Sequence, residues 1–235
     1  MAFRARARPQ AAMNITRRSA CLAFLLLAGC AGGPPTPDWQ VNAHGALAAH
    51  TRAWLAGDTR VAARELDIAR REAGRTGSAE PLARVELTAC AARIASLDEM
   101  DCPAARPLLE DASAAARAYA DYLAGQWDGL DPGKLPLAQR SVPGSVAAVA
   151  TLTGIEDPLS RLLAAALLLR AGRLPPAGID LAIETASRQG WRRPLLAWLG
   201  FDRDRRLAAG DAAGAAERQR RIDYASGGAP SMSGK

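Results

Sequence analysis

Apolar residues recur along this chain at intervals of three and four, and the alternation of Val, Ile, Thr and aromatics that announces a strand is missing. The pattern predicts an all-α protein. A first pair of helices is expected over residues 38–56 and 59–75, turning at Gly57-Asp58, where glycine ends one helix and aspartate caps the next. The following helix starts after Ser78, whose hydroxyl is placed to take an orphan amide, and carries Leu82, Val85, Ala89 and Ala92 on one face before ending near Leu97. Asp101-Cys102-Pro103 restarts the chain, Pro107 bends or shortens that helix, and Ser113 caps another reaching Leu123 before Gly125. Residues 126–140 are rich in turn formers and predict a loop of a length that functional loops share, with connection as its simplest role. After a short helix around 145–153, Asp157-Pro158 supplies an acidic cap with proline at the first helical position. The run from Leu162 to Leu169 is nearly all Leu and Ala, as in a helix enclosed by neighbours. Gly172, Gly190 and Gly210 then separate helices over 176–189, 193–209 and 211–225.

The turns carry a faint repeat. Five, nine and twelve residues after Gly57 stand Ala62, Leu66 and Ala69; after Gly172 stand Ala177, Leu181 and Glu184; after Gly210 stand Ala215, Gln219 and Ile222. This is similar to the second helix of a tetratricopeptide (TPR) hairpin, in which small, large and small residues pack on the preceding helix. The resemblance implies stacked antiparallel helical hairpins, a TPR-like α-solenoid. Only the first copy fits at every position, and the aromatic and Leu-Gly marks of that family's first helix are missing. The physical reason for stacking is independent of the motif: one hairpin has apolar surface it cannot bury alone.

Ahead of the helices, Arg17 and Arg18 precede an apolar stretch from Ser19 to Ala28. That is about ten residues, against the ~20 needed to span a bilayer. It closes on Leu27-Ala28-Gly29-Cys30. The order of basic flank, apolar run and small-residue box resembles a bacterial lipoprotein signal, which implies removal of residues 1–29 and acylation of Cys30, including an N-linked palmitate-type chain. A multiply acylated cysteine is a stable tether where one chain is marginal. Ala31 stands where Asp would favour inner-membrane retention in enterobacterial lipoproteins, so the resemblance implies a periplasm-facing protein on the outer membrane. Met13 is the expected true start, because Asn14 to Arg18 already supply the basic region. The arginine pair also resembles a twin-arginine signal, but Ala20 takes a position where that pattern has a large apolar residue, which favours ordinary Sec export. Residues 30–37, rich in Gly and Pro, read as a tether, 38–225 as one helical domain, and 226–235 as a disordered tail.

The charge of the whole chain is +6, but five arginines precede Cys30 with no acid among them, leaving +1 after cleavage. A near-neutral mature chain removes the argument for nucleic acid. The charge is uneven: eight acids stand between Ser96 and Asp131, and nine arginines against four acids between Arg188 and Arg221. These read as solvated faces or mutual contact of the two halves, with a docking surface as the sharper alternative. Cys21 leaves with the signal and Cys30 is lipidated, so Cys90 and Cys102 are the remaining thiols. In an oxidising compartment an even pair is read as a disulfide stapling a hairpin, the alternative being two unpaired buried thiols.

Catalytic motifs are missing. His44 and His50 are six apart and cannot share a helix face as zinc ligands at i and i+4 do, so no metal site is expected. Lys134 and Lys235 are the only lysines, and no nucleophile elbow or phosphate loop is present. No catalytic residue and no cofactor is assigned. Trp191, Arg192 and Arg193 are the partner-binding candidates, an aromatic anchor beside two cations at the mouth of a helix. The expected role is therefore a protein–protein interaction scaffold in envelope assembly or maintenance, tethered to membrane through Cys30. Its rivals are an envelope glycan-active enzyme, needing convergent carboxylates or a primed nucleophile, and a carrier of lipid or a small apolar ligand, needing an apolar cavity between helices.

Overall fold

The computed structural model describes residues 35–98 and 101–227. Cys30 and the signal assigned to residues 1–29 lie outside the described residues, as does the tail beyond Gly227. Helix ends fall largely where the sequence supplies caps. Asp58 accepts from the Val61 amide and opens α2 (Thr59–Gly74) after α1 (Asp38–Ala56). Ser113 accepts from Ala116 and opens α4 (Ala114–Ala124), Asp157 accepts from Ser160 and opens α6 (Pro158–Arg170), and Asp211 accepts from Gly214 and opens α9 (Ala212–Ala225). The others are α3 (Ala79–Ala95), α5 (Ala148–Thr153), α7 (Pro176–Arg188) and α8 (Arg192–Ala208). Among the described residues every regular element is helical. Ser78 makes no side-chain cap to α3; Thr76 Oγ1 accepts from the Ser78 amide instead. The helix expected from Asp101 shrinks to one 3₁₀ turn at Arg106–Leu108, with Pro107 in its first turn.

Two helices lie at the centre. The expectation for α3 was a single apolar face, but it is enclosed almost all round, burying Ala83, Val85, Leu87, Ala89 and Cys90 through Ala92, then Ile94 and Ala95. It packs on α1, α2, α4 and α6. Alanine on several sides lets those helices come close, which is why a one-sided pattern is hard to see in its sequence. The second centre, α6, buries the unbroken run Leu162 to Leu168 and touches α3, α5 and α7. Each leucine removed from water in this way contributes about 1.5–3 kcal/mol.

Contacts between α1 and α8 tie the first hairpin to a helix late in the chain. An open array in which each hairpin meets only its neighbours has no such contact. The joint is built at the end of α3. Trp198, buried on α8, donates Nε1–H to Ala95 O at 3.1 Å, and Trp54 on α1 donates to Ser96 Oγ at 3.2 Å. Leu97 follows at φ 54°, a conformation leucine enters at a cost, and packs against the core there.

The repeat register holds in one place. Ala62, Leu66 and Ala69 are buried in α2. In α7, Ala177 and Glu184 are exposed and Leu181 half-buried, while Gly178, Ile179, Ala182, Ile183 and Ala186 face inward. The motif offset is thus about one residue from the face that packs. In α9 only Ala215 of the third copy is buried.

Candidate functional site

The three binding candidates do not share one exposed face. Trp191 is half-buried against the core at the start of α8, and Arg192 is exposed. Arg193 lies with its guanidinium 3.9 Å from the Trp54 ring centroid, donates Nε–H to Trp54 O at 2.8 Å and Nη2–H to Thr59 Oγ1 at 2.6 Å. Its charge is occupied in clamping α8 to the α1–α2 corner, so Arg192 is the exposed member of the trio.

Cys90 and Cys102 form a disulfide with Cα atoms 5.6 Å apart. Cys90 is fully buried in α3, and the bond holds the irregular segment after Asp101 against that helix.

The loop over 126–140 is packed rather than loose. Trp127 Nε1 donates to Tyr122 O at 3.0 Å, Leu135 and Gln139 are buried, and the Tyr122 hydroxyl donates to Gln139 Oε1 at 2.5 Å. Tyr119, Tyr122 and Trp127 stack in succession, and Arg173 covers Trp127 at 5.3 Å. Burial pushes both tyrosine hydroxyls above their ordinary range, so each stays a neutral donor. Arginines from neighbouring elements donate to carbonyls at helix ends and in irregular backbone. Arg161 Nε donates to Leu152 O and Ile155 O at 3.0 Å, Arg170 to Leu123 O at 2.6 Å, and Arg173 to Pro143 O at 3.0 Å and to Ser145 O. Gly125, at φ 75°, gives Arg170 the room to reach that carbonyl.

Between α3, α4 and this loop runs an open groove of about 680 Å³. Leu87, Ala115, Ala116, Tyr119, Leu135 and Pro136 line it, with Arg84, Lys134 and Arg140 along its edges. Its carboxylate, Glu80, accepts the Ser113 amide at 2.7 Å and Arg84 Nη2 at 3.1 Å. The Ser113 amide, ahead of Arg84, holds that carboxyl below its ordinary range. A smaller groove of about 300 Å³ between α1, α2 and α3 meets it at Glu80 and Arg84 and includes Trp39, the exposed His44 and Val85.

Two further titratable groups are interior. Asp202 is fully buried on α8. Its Oδ1 accepts Arg205 Nη2 at 2.7 Å, and its Oδ2 accepts Arg206 Nε and Arg218 Nε at 2.8 Å each. Burial pushes the carboxyl up, but the hydrogen bonds from Arg206, Arg218 and Arg205 prevail and hold it at about 2. Arg218 also reaches Asp180, and Arg206 reaches Asp211, so the network joins α7, α8 and α9. The arginine-rich tract therefore includes local pairs with its own acids, rather than only the solvated faces or inter-half contacts expected from charge. On α1, His50 is 2 % exposed and its Nδ1–H donates to Ala62 O at 2.8 Å, while Nε2 has no partner among the described residues. Burial, which outweighs the Ala62 bond, holds the imidazole below its ordinary pKa, and Arg93 and Arg70 add to that.

No family profile, curated protein or solved structure matches the chain.

The groove, the carbonyl-capping arginines and Asp202 escaped the reading of the sequence. Arg84 and Tyr119 sit in helices and Lys134 and Arg140 in the loop, and nothing in local periodicity says that these elements meet. One signal was available: all but two of the basic residues are arginine. A planar guanidinium with five donors suits buried carbonyls and carboxylates in a way an ammonium does not.

Proposed function

We propose that this chain is an outer-membrane lipoprotein, anchored through Cys30 and facing the periplasm, that acts as a protein–protein interaction scaffold in envelope assembly or maintenance. The observation that carries the address is Leu27-Ala28-Gly29-Cys30 behind an apolar run and a basic flank. The Cys90–Cys102 bond supports it, because disulfides persist in oxidising compartments and are rare where thiols are kept reduced. The scaffold role is supported by a helical body whose hairpins are locked together by Arg193, Trp198 and the Asp202 network, which suits holding a surface in fixed shape. In this reading the hairpins stack in TPR-like fashion, as a short array closed by the α1–α8 contact.

The test is acyl labelling and fractionation of the full chain beside Cys30→Ala, followed by cross-linking and affinity capture from membranes. The expected result is label and outer-membrane location for the native chain, both lost in Cys30→Ala, together with one stoichiometric envelope partner. A purified chain that keeps residues 1–29 and carries no fatty acid overturns the address. Labelled protein that yields no stoichiometric partner overturns the scaffold.

A further inference from the structure

The groove between α3, α4 and the loop joins two kinds of surface that are usually separate. Its interior is apolar, with Leu87 and Leu135 each 2 % exposed beneath Ala115, Tyr119 and Pro136. Its edges are cationic. The Arg84 side chain is 75 % exposed and that of Lys134 50 % exposed. Arg140 spends Nε–H on Leu135 O at 3.0 Å and reaches Gly133 O with Nη2 at 3.4 Å, which fixes the loop and sets its charge beside the groove.

The acids nearby offset these charges incompletely. Glu80 already accepts a backbone amide together with Arg84, and Asp131 stands 4.0 Å from the Lys134 ammonium at the loop's outer side. An apolar trough of this size, within the range that encloses small ligands, with three cations against two carboxylates that are each already paired, keeps a net positive edge and complements a molecule with a greasy body and a negative head.

We propose that this groove binds a single-chain anionic amphiphile, its hydrocarbon lying over Leu87, Ala116 and Leu135 and its carboxylate or phosphate head held by Arg84, Lys134 and Arg140. The assignment does not rest on the envelope address or on the scaffold role. Arg84 supplies the movable contact, since it can leave Glu80 for the head group while Glu80 keeps the Ser113 amide. Lys134 supplies a point charge from the loop. Ala115, exposed on α4 at the groove wall, leaves the width that a chain needs.

The purified full chain is titrated by calorimetry with dodecanoate and dodecyl phosphate below their micelle-forming concentrations, with dodecanol and acetate as chain-only and head-only controls. One-to-one binding is expected for both anions, at least tenfold tighter than for dodecanol, with none for acetate. The ratio of the dodecanoate and dodecyl phosphate affinities tells a carboxylate source from a phosphate source. Ala115→Trp fills the groove from an exposed position and is expected to abolish binding with unchanged helical circular dichroism. Arg84→Glu, a surface change that leaves the groove open, is expected to weaken the anions at least tenfold and leave dodecanol unaffected. Equal affinity for dodecanol and dodecanoate, undiminished binding in folded Ala115→Trp and in Arg84→Glu, or no binding of either anion overturns the proposal.

Discussion

Replacing Asp202 with asparagine keeps the shape of the side chain and removes its charge, which isolates what the buried carboxylate does for the C-terminal helices. The native group is fully buried, and its two oxygens serve Arg205, Arg206 and Arg218. Its carboxyl titrates at about 2 in place of the ordinary 3.8, and that gap corresponds to about 2.4 kcal/mol at ~1.4 kcal/mol per pH unit. Asparagine also turns an amide toward donors that need an acceptor. Arg206 keeps Asp211 and Arg218 keeps Asp180, so the loss falls short of the full cost of orphaning a buried ion. The expected destabilisation is about 3 kcal/mol, or roughly 6–12 °C in Tm for a chain of this size. The sign with pH follows from the lowered carboxyl: its contribution is complete above the ordinary 3.8 and is lost as pH falls toward about 2. Urea unfolding followed by tryptophan fluorescence, at pH 7 and at steps from pH 4.5 down to 2, gives both readings. The gap between native and Asp202→Asn should be widest at neutral pH and close as acid is added. A gap below about 1 kcal/mol at pH 7, or one that stays constant through the acid steps, refutes the reasoning.

Removing the disulfide as Cys90→Ala/Cys102→Ala frees a loop of sequence separation 12 and should cost about 3 kcal/mol in urea unfolding; in exported native protein both thiols should resist alkylation until reduced. The folded-state pKa of His50 lies below the ordinary 6.5, so stability is intact above that value and declines as pH falls through it, where imidazolium would be buried near Arg93 and Arg70 with Glu86 as partial compensation. Thermal melts between pH 8 and 5 should show that decline in the native chain and a flatter profile in His50→Gln, which keeps a donor for Ala62. Arg193→Lys retains the charge but gives up the fork that serves Trp54 and Thr59 together, and should lower stability by about 1–2 kcal/mol in the same urea assay. Gly125→Ala places a Cβ at φ 75°, where it meets the Arg170 guanidinium at 2.8 Å, and should cost about 1–2 kcal/mol by the same assay.

Helices were legible where a local cap acts: Asp58, Ser113 and Asp157 all accept the amides their positions predict, whereas Asp101 opened no helix and Ser78 gave no side-chain cap. The enclosed run Leu162 to Leu168 was legible for the same local reason, composition. What stayed hidden is which faces meet. Little more than a quarter of a turn, one residue, separates packed from exposed on an Ala-rich helix, and a small side chain fits either situation. The α7 register shows this: Ala177 looked like the packed small residue, while Gly178 next to it is buried near Leu174 and Leu152. Likewise Trp191-Arg192-Arg193 read as one patch because the residues are adjacent, but neighbours on a helix point about 100° apart, and Arg193 found Trp54 instead.

The span of the arginine bonds has a consequence for how the chain acquires its shape as it emerges. Leu123 O accepts from Arg170, 47 residues on, and Trp54 O, which already takes the Gly57 amide, adds Arg193, 139 residues on. The end of α4 and the α1–α2 corner therefore complete their bonding only when the last third of the polypeptide arrives, and a product cut short before Arg161 would leave Leu123 O to water and the corner without its clamp. Early helices thus receive their last bonds from late residues, so the corner between α1 and α2 is finished only after the chain has been made as far as Arg193.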